Sequence, residues 1–381
     1  MAGPLTGLHV VELVGLGPGP FAGMLLADLG AEVVRVDRVS EARATDRSEP
    51  ARSPMHRGKA SVAVDLKAPG GAEVVLRLAD RADALIEVFR PGVAERLGIG
   101  PDVCLARNPR LIYGRLTGWG QDGPWAGRSG HDIDYIALAG ALEPLGRAGG
   151  PPTPPINVLG DFAGGGMLLA FGIACAAWEA SRSGQGQVID AAMIDGSALL
   201  MAPFFSGRAS GGWGPRGTNL LDGAAPFYDV YETLDGGWMA VGAIEPQFHA
   251  EFLAGLGLNG DPELSAQYDR DRWPAQKARI AAIFRTRTRA EWAVVFDGTD
   301  ACVAPVLDPV EAPAHPHHVA RGTFVRRHGV SEPAPGPRFS RSTTDTPGPT
   351  RHPGEDTDTT LAAWGFSAAD IAGFRQSGAI C

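Results

Sequence analysis

Apolar and polar positions along this chain follow two different rhythms. Short β-branched runs at residues 8–14 (LHVVELV) and 32–36 (EVVRV) read as buried strands. Between them, residues 21–29 carry a helical pattern that opens at Pro20 and closes at Gly30. Further strand runs fall at 62–66, 84–88, 111–117 and 187–190. Helical patterns separate them at 73–81, 132–139 and 162–180, the last apolar almost throughout, and another follows near 193–205. Strand and helix in alternation predict an α/β fold, Rossmann-like, with a parallel sheet. The rhythm then changes. Residues 207–223 are rich in Gly, Trp and Arg and read as a linker. Alternating strands at 228–233 and 238–243 flank the turn Asp235-Gly236-Gly237, which predicts a hairpin. Helices follow from Glu245-Pro246 to about 256 and from Trp273-Pro274, and a capping box, Thr288-Arg289-Ala290-Glu291, opens another. A strand at 302–307 completes a smaller α+β domain. Beyond 309 the chain is rich in Pro, Thr and His and reads as extended, until Ser367-Ala368-Ala369-Asp370 caps a terminal helix. The expected division is a large domain over 1–206, a linker over 207–224, a small domain over 225–310 and a return segment over 311–381.

Composition narrows the function. The 381 residues carry a formal net charge of −9, which argues against nucleic acid as a partner. Cations nevertheless crowd the first third, at Arg35, Arg38, Arg52, Arg57, Lys59, Lys67 and Arg90, and suit a small anionic ligand. Cys104, Cys175, Cys302 and Cys381 are scattered without metal-ligand spacing, and prolines interrupt the His315, His317, His318 group, so no metal is expected. No apolar run is read as long enough to cross a bilayer and no leader pattern opens the chain, so the expectation is a cytoplasmic protein without a membrane partner.

The first turn, Gly15-Leu16-Gly17-Pro18-Gly19-Pro20, invites a dinucleotide reading and then weakens it. Pro20 stands where the fingerprint needs its third glycine, and Pro18 and Pro20 lack the N–H groups that cradle a pyrophosphate. Ligands of open α/β sheets bind at the carboxyl ends of strands. Arg38, the segment Val64-Asp65-Leu66-Lys67 and Arg90 fall at or near such ends. Arg38 suits a phosphate or an adenine ring, or else a solvated loop.

Two segments carry titratable groups at expected helix starts: Gly130-His131-Asp132-Ile133-Asp134-Tyr135, and Gly160-Asp161-Phe162 followed by Ala163-Gly164-Gly165-Gly166. The unpartnered N–H groups of a helix start favour negative charge and would hold an oxyanion. If His131 and Asp161 face one pocket, one removes a proton from carbon and the other returns one from the opposite side, inverting a stereocentre through an enolate. Glu245 would orient the imidazole. The bland alternative is that His131 is a structural histidine and Asp161 a plain N-cap.

The chain resembles the α-methylacyl-CoA racemases of the class III CoA-transferase family. The resemblance rests on VVELVGLGPGPFAGMLLADLGAEVVRVDR, VDLK, RPGVAERLGIGP, RLIYGRLTGWGQDGP, GHDIDYIALAG, DFAGGG, LLDGAAPFYDVYETLDG, MAVGAIEPQF and FDGTDACVAPVL, in that order, between Leu5 and about Phe339. It implies an isomerase that racemises 2-methylacyl-CoA thioesters by 1,1-proton transfer. His131 and Asp161 would be the acid/base pair, with Glu245 supporting the His and Asp132 supporting the site. Arg38, Val64, Asp65, Leu66, Lys67, Arg90 and the stretch Gly130, His131, Asp132, Ile133, Asp134, Tyr135 would hold CoA. The resemblance further implies an interlocked homodimer, a large domain completed by the return segment, and no cofactor beyond the CoA of the substrate. Such racemases usually have Asn where this chain has Asp134, an extra carboxylate that either raises the pKa of neighbouring acids or lies neutral on the surface. Two alternatives stay open: a CoA transferase with Asp161 as nucleophile, and a CoA-binding module without activity.

Overall fold

The computed structural model describes residues 3–327, 329–344 and 346–381. The chain divides into two compact units. One comprises Met1–Ala139, Ile156–Leu200 and Gly322–Cys381, the other Gly140–Pro155 and Met201–Arg321.

The first unit is built on a six-stranded sheet in the order β3-β2-β1-β4-β5-β6. The strands are β1 (His9–Leu13), β2 (Glu32–Arg38), β3 (Lys59–Val64), β4 (Ala84–Glu87), β5 (Ile112–Thr117) and β6 (Val188–Ala192), and every pairing is parallel. This is the doubly wound order, in which the winding direction reverses between β1 and β4. Both faces are covered, so alternate residues of one strand enter different cores. Val10, Val33, Ile86 and Ile112 pack with the helices Pro18–Asp28 and Leu168–Ser183. Val11, Val34, Val62 and Leu85 pack on the other face with the helix Gly71–Ala79 and with Leu361, Trp364, Phe366 and Ile380 of the return segment. Fully burying each such side chain stabilises the fold by about 1.5–3 kcal/mol. The return segment is therefore structural, with a hairpin of β10 (Phe324–Arg327) and β11 (Val330–Pro333) and the helices Thr357–Ala363 and Ala368–Gln376. Ser367 caps the last helix as the sequence predicts, accepting from the Asp370 N–H.

Several local expectations need correction. The first helix opens at Pro18, two residues early, because Pro18 already has the φ of a first helical position. β3 begins at Lys59, three residues before the expected start of that strand at Val62. Lys59 Nζ lies 2.5 Å from Glu12 Oε2 with both side chains fully buried. Arg57 is sealed against Asp28 at 2.5 Å and Glu332 at 3.3 Å, and Arg35 against Asp37 at 2.7 Å. Three of the cations that suggested an anionic ligand are thus neutralised inside the protein.

The long apolar helix runs over Val158–Ser183, 26 residues, and its most apolar 18-residue stretch has a mean hydropathy of 1.7. By length and composition alone it could cross a bilayer, which corrects the reading that no run was long enough. Its Leu169, Ile173 and Ala176 pack on the sheet, while Phe171 and Trp178 on its other side are exposed.

The second unit carries the antiparallel sheet β7-β8-β9 (Tyr228–Glu232, Trp238–Gly242 and Val303–Pro305). The helices Pro246–Gly255, Trp273–Phe284 and Arg289–Phe296 close over it around Phe227, Tyr231, Phe252, Phe284, Trp292 and Phe296. Thr288 forms the expected capping box with Glu291. The presumed linker is ordered. The buried Asn219 donates through Nδ2 to the Gly214 and Pro215 carbonyls and to Asp222, whose carboxylate also accepts the Gly217 and Asn219 N–H groups. Residues 140–155, expected with the first unit, fold with this one because Arg216 holds the Glu143 and Gly150 carbonyls and Arg147 pairs with buried Asp229. Among the described residues no three His, Cys, Asp or Glu side chains gather as a metal site requires.

Candidate active site

Two adjoining cavities lie at the carboxyl ends of the strands of the first unit. One, about 510 Å³, is lined by Val64, Asp65, Leu66, Lys67, Arg43 and the ends of β1 and β2. The other, about 590 Å³, lies where the strand order reverses, under the turn Gly15–Pro18 after β1 and Phe89–Pro91 after β4. They share Val14, Arg38 and Phe89 and adjoin there as a two-part cleft. This is where a doubly wound sheet is expected to hold its ligand. Arg38, at the end of β2, pairs among the described residues with Glu41 alone, at the surface, and Arg90 donates to Ser129 Oγ at 2.7 Å. Unlike Arg35, Arg57 and Lys59, these two and Lys67 remain open to an anion.

The second cavity brings His131, Asp161, Gly130, Tyr135 and Arg90 together. His131 is the N-cap of the helix Asp132–Leu138, and its own N–H donates to Asp134 Oδ2 at 3.0 Å. Asp134 therefore caps its own helix, a role an Asn oxygen would fill equally well, and neither it nor Ile133, which is exposed, lines the cavity. Tyr135 stands behind, its hydroxyl donating to the Gly130 carbonyl and its ring beneath Gly118. Loss of hydration and the nearby Asp161 and Asp134 carboxylates push its phenol up to about 12, so it is a neutral hydrogen-bond donor rather than a base.

Asp161 differs most from expectation. It is no N-cap, since the helix begins three residues earlier, at Val158, with a wide π-helical opening over Val158–Met167. Glycine chemistry explains the opening. A Cβ on Gly164 would come within 2.9 Å of the Ser197 nitrogen, one on Gly165 within 2.7 Å of Met193 Cγ, and one on Gly166 within 2.6 Å of the Pro18 carbonyl oxygen. The three glycines let the helix start press onto the helix Met193–Leu200 and the Pro18 turn. Two N–H groups of this helix start are also not free for a substrate oxygen. Those of Gly160 and Asp161 both donate to Asp132 Oδ2, at 2.7 Å each. Asp132 is buried beneath the cavity and does not line it.

The Asp161 carboxyl is held above the ordinary carboxylate range. Loss of hydration is the main cause and the Asp132 charge adds to it, while Asn157 and His131 pull the other way. Asn157 Nδ2 donates to Asp161 Oδ2 at 3.0 Å. The sequence reading passed over Asn157, although an amide four residues before an acid at a helix start is a visible signal. It follows Ile156, a β-branched residue held at φ 53°, a strained conformation of the kind that turns next to functional sites carry. Trp119, Met193 and Arg128 also line the cavity unforeseen.

Glu245 belongs to the second unit, where it is the N-cap of the helix Pro246–Gly255. It is exposed, and its carboxylate makes no hydrogen bond or ion pair among the described residues.

Comparison with known proteins follows the same lines. The chain is 48% identical to the α-methylacyl-CoA racemase of Mus musculus over 371 residues, which spans 96% of this chain and 95% of that protein. It is likewise 48% identical to the α-methylacyl-CoA racemase of Homo sapiens over 372 residues, with the same shares. The crystal structure of a CAIB/BAIF family protein from Brucella suis superposes with a TM-score of 0.80 at 26% identity, covering 96% of this chain and all of that one. Residues 5–357 match CoA-transferase family III, and the chain belongs to that family.

Proposed function

We propose that this protein is an isomerase that interconverts the two configurations at C2 of 2-methylacyl-CoA thioesters. The observation that carries the reading is the pair His131 and Asp161 in one cavity at the sheet's reversal point, in a chain so similar to two proteins named as such racemases. The cleft takes CoA with Arg38 and Val64–Lys67 at one end, Arg90 along its course, and the thioester beside His131.

One of the pair removes the α-proton, and the electron pair moves to the thioester oxygen. The other member delivers a proton to the opposite face of C2, which inverts it. Asp161, whose carboxyl holds its proton to higher pH than an ordinary aspartate, is the donor when His131 is the base, and the roles exchange in the reverse direction. The step moves protons only and calls for neither a metal nor a redox cofactor.

The protein acts as a homodimer, with Glu245 of a second copy orienting the imidazole. The unpaired, exposed Glu245 and the exposed apolar side of the Val158–Ser183 helix support this reading. In a CoA transferase Asp161 would instead attack as nucleophile, which leaves His131 in the same cavity without a task.

Incubation of pure (2R)- and (2S)-2-methylacyl-CoA in deuterated water tests the reading. Both are expected to gain one deuterium at C2 and to converge on a mixture of configurations. Transfer of CoA to a free acid without deuterium uptake refutes it.

A further inference from the structure

We propose that Asp132 is a positioning residue: its carboxylate bolts the start of the helix carrying Asp161 onto the helix capped by His131, and presents a fixed negative charge to that pair. The proposal rests on the racemase reading of the cleft.

Three features of Asp132 point the same way. It is the first residue of the helix Asp132–Leu138, next to His131, yet its side chain serves a different helix. A single oxygen, Oδ2, accepts both the Gly160 and the Asp161 N–H at 2.7 Å, so the main chain of one proton carrier hangs from the neighbour of the other. Those donors belong to a helix start, where a carboxylate is well placed. Second, the approach is built into the sequence. A Cβ on Gly160 would meet Asp132 Oδ2 at 2.7 Å and Ile136 Cγ2 at 3.2 Å, so only glycine admits the contact. Third, Asp132 Oδ1 is buried without a hydrogen-bond partner among the described residues. A buried acceptor left unsatisfied costs stability. An Asn at this position would offer Oδ1 to the same two donors without the charge, and its amide N–H groups would take the buried place of the second carboxylate oxygen.

The charged and titratable groups around Asp161 are His131 and Asp132 from one helix, the Tyr135 hydroxyl from the same helix, and the Asn157 amide as a neutral donor. Asp134 is tied to the His131 N–H, Arg90 lies near Tyr135, and Arg38 and Arg128 are further cations lining the same cavity. Within this set Asp132 is the buried anion. Such an anion makes a coupled acid/base pair hold its protons to higher pH, so it places both limbs of the pH profile.

The test compares Asp132→Asn and Asp132→Ala with the wild type in the α-proton exchange and racemisation assay. Asp132→Asn keeps an acceptor for the two N–H groups and loses the charge. It is expected to retain turnover within about tenfold while both limbs of its kcat/KM profile move to lower pH by about half to one pH unit. Asp132→Ala releases the helix start, and kcat is expected to fall on the order of 10²-fold with KM within about threefold. A purely structural Asp132 would change stability and leave both limbs where they are. Unmoved limbs in Asp132→Asn, or near-wild-type kcat in Asp132→Ala, overturn the proposal, and should the Ala variant not fold, the Asn variant decides. A wild type that transfers CoA without exchange overturns the racemase reading alone. The acid limb of transfer, which requires an ionised Asp161, then carries the same comparison.

Discussion

Asp161→Asn separates the two halves of the proposed chemistry. The amide has the shape of the carboxylate. The hydrogen bond from the residue 161 N–H to Asp132 Oδ2, 2.7 Å long, comes from the main chain and is untouched. The side-chain bond from Asn157, 3.0 Å long and at the surface, exchanges a charged acceptor for a neutral one. A neutral hydrogen bond of this kind is worth about 0.5–1.5 kcal/mol net, so the fold and the cleft survive the change. What is lost is the proton. Removing one positioned acid or base costs about 10²–10⁴ in rate, or roughly 2.7–5.4 kcal/mol of barrier. Racemisation is expected to fall by that factor while KM stays within about twofold, because no CoA-facing group has changed. His131 remains intact, so the substrate configuration it addresses continues to exchange its α-proton for deuterium and returns it to the same face. One configuration therefore gains deuterium with retention and the other stays inert. The assay is proton NMR of each configuration in deuterated water, followed by chiral analysis of the released acid. Racemisation at near-wild-type rate, or equal loss of exchange from both configurations, refutes the two-base argument.

Three further outcomes follow from other parts of the structure. Lys67→Ala removes a cation that lines the end of the cleft proposed to take the nucleotide of CoA, so KM for the thioester is expected to rise roughly tenfold with kcat nearly unchanged, and the defect should shrink at high salt, where the wild type also loses its attraction; a kcat defect at constant KM contradicts it. Glu12→Gln strands the fully buried Lys59 ammonium without its counter-charge, which should cost about 3–5 kcal/mol in a denaturant titration; a loss under about 1 kcal/mol would show that water reaches the pair. Burial among Phe227 and Phe252 lowers His249 to about 4, below its unfolded value of 6.5, so the unfolded chain binds the extra proton first and stability falls as pH drops through that window, by up to about 1.4 kcal/mol per pH unit; His249→Phe should flatten that slope between pH 6.5 and 4, and an unchanged slope assigns it to other groups.

The strands of the large sheet were legible because both of its faces are covered. A run such as Val10-Val11 must be apolar at every position, and local composition records that directly. The hairpin β7–β8 and the capping boxes at Thr288 and Ser367 were legible for a similar reason, as each depends on residues only a few positions apart. His131, Asp161, Arg38 and Arg90 could be nominated because strand ends and helix starts are themselves local features. The start of the Asp161 helix was misplaced because its π-helical opening is made by packing against Pro18 and Met193, which lie well outside that window of sequence.

By itself, then, the sequence determined the alternation of strand and helix, the change to a second kind of architecture, and which residues of proton-carrying and anion-binding type stand at strand and helix ends. The tertiary structure decided what each of them faces. Arg57 meets Asp28 across 29 positions and Glu332 across 275, Lys59 meets Glu12 across 47, and Asp132 reaches the Asp161 N–H across 29. Those pairings silence two cations that looked like ligand contacts and turn a residue next to a catalytic candidate into the clasp between two helices. The physical reason is that the period of a helix or strand is set by the local backbone, whereas a charge in a protein interior persists only where folding brings it an opposite charge or a hydrogen-bond partner.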